Sequence, residues 1–323
     1  MMRKYFKKLG LIGLAGTMAF LTDVAAAKEI TLGYVAAGMQ YPFNVAAARG
    51  FEAAAKAAGV KTIVLDAKTS VEKQGNAVDD LIAQKVDGIA VLPIDAVVAQ
   101  SWVERATSHN IPFVAVATQI GDPQKHAIND VYPKLTALVA SDEVHVGTDA
   151  AQIAATLLPK DRTAKIAIVE GAPGYPTVWQ VTKGFKEGLD KAGVKYQIVA
   201  SQPTDWTPEK GESVCQNILV AHPDVDLIFN QADDMVIGCA RAVRAAGSHA
   251  KLVSRGGSKL GINAVKVGDV DGTVCIQPGK MGERAFKALY AAVTNPNAPK
   301  AKFIDVDTPQ VTKTTLSKCV PEW

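Results

Sequence analysis

The chain has 323 residues, 48% of them hydrophobic, with 35 basic and 32 acidic side chains. Four of those basic residues and one of the acidic ones fall in the first 27 positions, which leaves the remainder balanced at 31 against 31. Such a balance carries no electrostatic footprint for nucleic acid or an anionic membrane, and about 295 residues beyond that start is the length of two lobes rather than one core.

The opening segment has Arg3, Lys4, Lys7 and Lys8, an apolar run from Leu9 to Leu21, and a close on Ala25-Ala26-Ala27. That is the layout of a secretory signal peptide cut before Lys28. The run is shorter than the roughly 20 residues that span a bilayer, and Asp23 interrupts its end. No Cys lies near the cut, so the expectation is a soluble, exported chain without a lipid anchor.

Strands and helices then alternate. "EITLGYVAAG" reads as a strand and "FNVAAARGFEAAAKAAGV" as a helix stopped at Gly59. A strand "KTIVLDA", a helix over Val71 to Gln84, a strand "VDGIAVLPID", a helix "SWVERATSHN" and a strand "IPFVAVAT" follow. Strands separated by helices of this length predict βαβ units around a parallel sheet. The pattern then restarts at "KIAIVEG": "GFKEGLDKAGVK" (184–195) matches "GFEAAAKAAGVK" (50–61), and "VDLIFNQADD" (225–234) matches "VDGIAVLPID" (86–95). The repeat predicts two α/β lobes with one element order.

Ligands of open α/β sheets sit beyond the carboxyl ends of the strands, and two lobes can face those rims across a cleft. Aromatic residues are few, yet Tyr41, Phe43, Tyr175, Trp179 and Trp206 all fall in segments read as rim loops, which favours a binding cleft. Cys215, Cys239, Cys275 and Cys319 are an even set in an exported chain, so disulfides are expected, with three connectivities open. Their spacing lacks a C-x-x-C pair or a nearby His, which argues against zinc. No phosphate loop, nucleophile elbow or H-E-x-x-H is present, and the His residues are isolated. In "FNQADDMVIG" the adjacent Asp233 and Asp234 diverge on any regular element, so a helix start or ligand hydrogen bonds fit better than a catalytic pair.

The blocks "YPFNVAAARGFEAAAKAAG", "SDEVHVGTDAAQIAATLL", "AHPDVDLIFNQADDMVIG" and "DGTVCIQPGKMGERA" resemble the ribose- and galactose-type periplasmic binding proteins, the solute receptors of ABC importers. The likeness runs over essentially the whole chain after position 27. It implies two Rossmann-like, doubly wound lobes joined by a three-strand hinge, the type I fold of that family, closing on a small solute in the periplasm. It implies no enzyme activity and no cofactor. On that pattern the first lobe is 28–141 plus 277–305 and the second 142–276 plus 306–323. The pairings expected there are Cys215–Cys239 and Cys275–Cys319.

The sugar-holding Asp-Arg pair of the family falls at Ala117-Thr118, its second-lobe Arg at Trp179, its Asn at Ala232, its Asp at Gly256 and its hinge Gln at Ile276. Charged groups that fork hydrogen bonds to a sugar are thus replaced. The expected lining is Tyr41, Phe43, Asn44, Thr118, Gln119, Trp179, Trp206, Asn230, Asp233, Arg255 and Gln277, with no metal. The expected function is capture of a small sugar or polyol by a monomer that docks on a membrane permease, with a chemoreceptor as an optional further partner. A receptor for a carboxylate or aromatic acid, with Arg255 as its cation, is the alternative, followed by a secreted enzyme. A sugar-responsive repressor is excluded, because an export signal stands where its DNA-binding helices belong.

Overall fold

The computed structural model describes residues 1–2, 29–295 and 297–323, so the expected signal peptide lies, past its first two residues, outside the described part. The first half runs β1 (Thr31–Ala36), α1 (Pro42–Ala57), β2 (Lys61–Asp66), α2 (Val71–Ala83), β3 (Gly88–Val91), α3 (Ala99–Ser108), β4 (Phe113–Val116) and β5 (Ala137–Ala140). It continues with α4 (Glu143–Leu157), β6 (Ala164–Glu170), α5 (Pro176–Lys191), β7 (Tyr196–Pro203), α6 (Pro208–Ala221), β8 (Leu227–Asn230) and α7 (Asp233–Ala245). The last elements are β9 (Lys251–Gly256), α8 (Lys259–Val267), β10 (Gly272–Cys275), α9 (Pro278–Thr294), β11 (Lys302–Asp305) and β12 (Gln310–Thr312).

Two six-stranded sheets result, in the orders β2-β1-β3-β4-β5-β11 and β7-β6-β8-β9-β10-β12. The orders are the same, and all pairings are parallel except β10 with β12. Inner strands such as β3, β4, β8 and β10 are buried along their whole length, as sheets covered by helices on both faces require.

The chain passes between sheets after β5, after β10 and after β11. These crossings are laced together: Ser141 Oγ donates to the Val306 carbonyl at 2.9 Å, and Gln277 Nε2 donates to the Asp307 carbonyl at 2.7 Å. Each lobe also takes a helix from across the hinge, α4 packing on α5 and α9 on α1. Glycines permit that approach. A methyl group at Gly184 would meet the Val144 carbonyl, and one at Gly50 would meet the Gly279 carbonyl. Gly184 and Gly50 are the same position in the sequence repeat.

One local expectation changes. "GAPGYPTVWQ" reads as loop, but Pro176 starts α5, so Trp179 and Gln180 sit on the first two turns of a helix. Proline at the first helical position lacks an N–H that the helix would leave unpaired anyway. Among the described residues no helix is long and apolar enough to cross a membrane.

Candidate functional site

The carboxyl ends of β1, β3 and β4 in one sheet and of β6, β8 and β9 in the other open onto the segments that join them to their helices. In the first lobe, Tyr41 is the extended residue before Pro42, and Asn44 Nδ2 donates to the Gly38 carbonyl at 2.8 Å, fixing the loop that carries it. The Tyr41 phenol is held above its usual range by burial and then by Asp205, a residue of the opposite lobe. Tyr175, at the start of α5, is pushed up to about 12 by burial, with Tyr41 adding to it. Its ring stands edge-on to Trp206, 6.0 Å between centroids. Trp206 takes a positive φ of 69° and lies over Gly171, where any side chain would occupy the indole. Tyr41, Tyr175, Asp205 and Trp206 therefore form a mouth made from both lobes.

A second contact joins the lobes beside the loop at 123–129. Gln180 Nε2 donates to Gln119 Oε1 at 3.2 Å, while Gln119 Nε2 donates to the His126 carbonyl at 3.2 Å; both glutamines are buried. The turn into Gln119 is tight: Ala117 has φ 61°, rare for a residue with a β-carbon, and the Thr118 N–H reaches the Val116 carbonyl at 2.7 Å. Thr118 is half-buried. Trp179 does not join the aromatic mouth. It lines a cavity of about 640 Å3 on the flank, between loop 123–129 and the start of α5, with His126 and Lys183.

Two of the expected solute contacts, Asp233 and Arg255, are taken up by partners within the protein. Asp233 is fully buried and accepts from Ser254 Oγ at 2.6 Å, the Ser258 N–H at 2.8 Å, Ser258 Oγ at 3.2 Å and Thr273 Oγ1 at 2.9 Å. A carboxylate has roughly four acceptor sites, so this one ties α7 to β9, β10 and the start of α8 and has none left for a solute. Asn230 pairs in register with Ser254 at the carboxyl end of β8 and is fully buried, and its Oδ1 has no hydrogen-bond partner among the described residues. Arg255 forks onto Glu143 at 2.8 and 2.5 Å, both side chains buried. Its charge is matched there through Nε and Nη2. Gln277 is a hinge brace, as its bond to Asp307 shows. The segment "FNQADDMVIG" is thus a strand-to-helix turn whose first acid holds the second lobe together. The second, Asp234, is half-buried, and burial, then the charge of Asp233, pushes its carboxyl up to about 6.

Phe43 meets a partner that sequence reasoning missed. Its ring stands 5.7 Å from that of Trp323, edge-on at 89°. The Trp323 carbonyl accepts from the Lys259 N–H at the start of α8, at 2.7 Å. Glu322 Oε2 accepts from the Gly279 N–H at 2.7 Å and the Lys280 N–H at 3.4 Å, at the start of α9. Glu143 and Gln180 were missed as well, since nothing in their own segments marks a partner so far along the chain. The chain contains the disulfides Cys215–Cys239, joining α6 to α7, and Cys275–Cys319, joining the end of β10 to the final segment. Among the described residues no group of three or more His, Cys, Asp or Glu is placed to hold a metal ion.

Residues 32–297 match the family described as "Periplasmic binding protein domain". The ribose import binding protein RbsB of Bacillus subtilis (strain 168) is 32% identical over 261 residues, covering 81% of this chain and 81% of that protein. The D-allose-binding periplasmic protein of Escherichia coli (strain K12) is 30% identical over 317 residues, 94% of this chain and 98% of that one. Among solved structures, an ABC transporter periplasmic solute binding protein from Actinobacillus succinogenes 130z with bound D-allose superposes with a TM-score of 0.80 at 26% identity, covering 90% of this chain and 100% of that one.

Proposed function

Because the chain belongs to the periplasmic binding protein family, whose members bind solutes without catalysis and share this type I fold of two α/β lobes, we propose that it is the receptor of an ABC importer for a small sugar or polyol. The observation that supports this reading best is the hydrogen bond between the lobes, Gln119 with Gln180, together with the charge of Asp205 acting on Tyr41 from the opposite lobe. They bring polar and aromatic groups of the two lobes to face each other. A solute touching both lobes favours the closed arrangement by the difference between its affinities for the two states. The closed lobes then present a joined surface to a membrane permease, and to a chemoreceptor where one is present. Export through residues 1–27 places the receptor in the periplasm.

The amides and hydroxyls at the cleft, Gln119, Thr118, Tyr41 and Tyr175, are uncharged, which suits hydroxyl groups. The acid-binding alternative rested on Arg255, whose guanidinium is held by Glu143. Thermal unfolding of refolded, solute-free protein tests the class. Ribose, allose, xylitol and myo-inositol are compared with small carboxylates and aromatic acids. A solute at 100 times its Kd adds about 2.7 kcal/mol, a shift of several degrees. Shifts with acids alone would reverse the reading.

A further inference from the structure

The segment after Cys319 runs between the two lobes. Its base is pinned to the end of β10 by Cys275–Cys319, next to the hinge residues Ile276 and Gln277. From there it touches both lobes: Glu322 accepts from the first two amides past Pro278 in α9, which packs in the first lobe, and Trp323 accepts from Lys259 in the second. The fit at α9 is close, since a methyl group at Gly279 would stand 3.1 Å from Glu322 Oε2. Trp323 consequently lies between the start of α1, which carries Tyr41 and Phe43, and the start of α8, which follows Gly256 at the end of β9. Both are rims of the cleft.

One group here is unsatisfied. The Trp323 Nε1–H is buried and has no hydrogen-bond partner among the described residues, although the rings of Trp323 and Phe43 are only half-buried. A buried donor without an acceptor is unfavourable, and buried indole N–H groups ordinarily find one. Thr177 Oγ1, on the first turn of α5 beside Tyr175, is in the same condition. A buried donor without a protein acceptor is one that a solute oxygen can satisfy.

We propose that Trp323 is a specificity-determining residue of the solute cleft: its indole N–H donates to an oxygen of the bound sugar or polyol, and its ring, beside Phe43, closes one flank of the site. This rests on the sugar or polyol reading above. The Glu322 contact and the Cys275–Cys319 bridge are its positioning elements. A solute oxygen that accepts from this N–H adds to the difference in affinity that drives closure.

The test is titration calorimetry of the native chain, Trp323→Phe and Trp323→Ala with D-ribose, D-allose, xylitol and myo-inositol. Trp323→Phe keeps an aromatic flank and removes the donor. The probe that the native chain binds best should bind Trp323→Phe about tenfold more weakly, with Trp323→Ala weaker still. The solute-free unfolding midpoint of Trp323→Phe should stay near that of the native chain, which a purely structural Trp would not allow. Equal affinity in all three proteins overturns the role of Trp323 and leaves the function standing. A native chain that binds none of the probes overturns the sugar or polyol reading, and this inference with it.

Discussion

The outer faces of the two lobes are covered by equivalent helix pairs, α2 with α3 in the first and α6 with α7 in the second, but the pairs are held by opposite means. Between α2 and α3 lies Trp102, almost fully buried, its indole Nε1 3.1 Å from where a methyl group at Gly75 would stand. Between α6 and α7 there is no such filler. Gly211 sits against the backbone of Met235, Gly238 against the Pro208 carbonyl, and Cys215–Cys239 fixes the pair covalently. One pair is spaced by a large side chain and can adjust. The other is in backbone contact and cannot. The same strand order therefore tolerates two solutions to covering a sheet, and a repeat in sequence does not guarantee a repeat in packing.

Glycine replacement should separate the lobes most sharply. In Gly238→Ala the added methyl meets the Pro208 carbonyl and the Glu212 N–H, backbone atoms that a disulfide keeps in place. The gain in helix propensity, about 1 kcal/mol, is outweighed, and a loss of about 3 kcal/mol or more is expected. In Gly75→Ala the neighbour is a side chain that can shift by a few tenths of an ångström, so stability should stay within about 1 kcal/mol of native. Removing the first lobe's own spacer, Trp102→Ala, should cost about 3–5 kcal/mol through the cavity it leaves. Denaturant unfolding reads all three, and equal losses in the two glycine variants would end the contrast.

The disulfide gives the next effect. Its cysteines are 24 residues apart, and chain-entropy arguments put its contribution at about 3 kcal/mol. Cys215→Ala with Cys239→Ala should lower the unfolding midpoint by several degrees and leave solute affinity unchanged, because both cysteines lie on helices away from the cleft. A change in Kd as large as the stability loss would show that the second lobe's outer face is coupled to its rim.

Much of the scaffold was legible because burial writes itself into local sequence. "VDGIAVLPID" and "VDLIFNQADD" are strands, as their apolar runs require, and the Gly-Phe matches at 50–51 and 184–185 mark the same helix contact in each lobe. Site residues were less legible because their partners are remote. The donors to Asp233 come from positions 254, 258 and 273, and Arg255 meets Glu143 across 112 residues. No periodicity reports such pairs, so an acid in a turn and an Arg at a strand end both read as solute contacts. Trp323 was missed for a related reason. The segment from Val320 to Trp323 forms no regular element, and only the half-cystine at Cys319 hinted that it is tied down.

The repeat also places Asp234 where the first lobe has Asp95, and the two acids do different things. Asp95 Oδ1 accepts from the Val97 and Val98 amides at 2.8 and 2.9 Å, a turn brace open to solvent on its flank. Asp234 is half-buried beside Asp233, and its carboxyl is pushed up to about 6 from an ordinary 3.8. The folded chain therefore binds this proton more tightly than the unfolded chain does. The contribution to stability is complete below about pH 4 and is lost as the pH rises through 6. Screening of a partly exposed group limits the penalty at neutral pH to about 1–2 kcal/mol, and the favourable position of the charge in the first turn of α7 returns about 0.3–1 of it. Asp234→Asn should then gain roughly 1 kcal/mol at pH 7 and nothing at pH 4, whereas Asp95→Asn should lose up to about 1 kcal/mol at pH 7 by weakening its brace. Unfolding curves at the two pH values decide it: a pH-independent effect at Asp234 would mean that its surroundings, rather than its proton, set the stability of the turn.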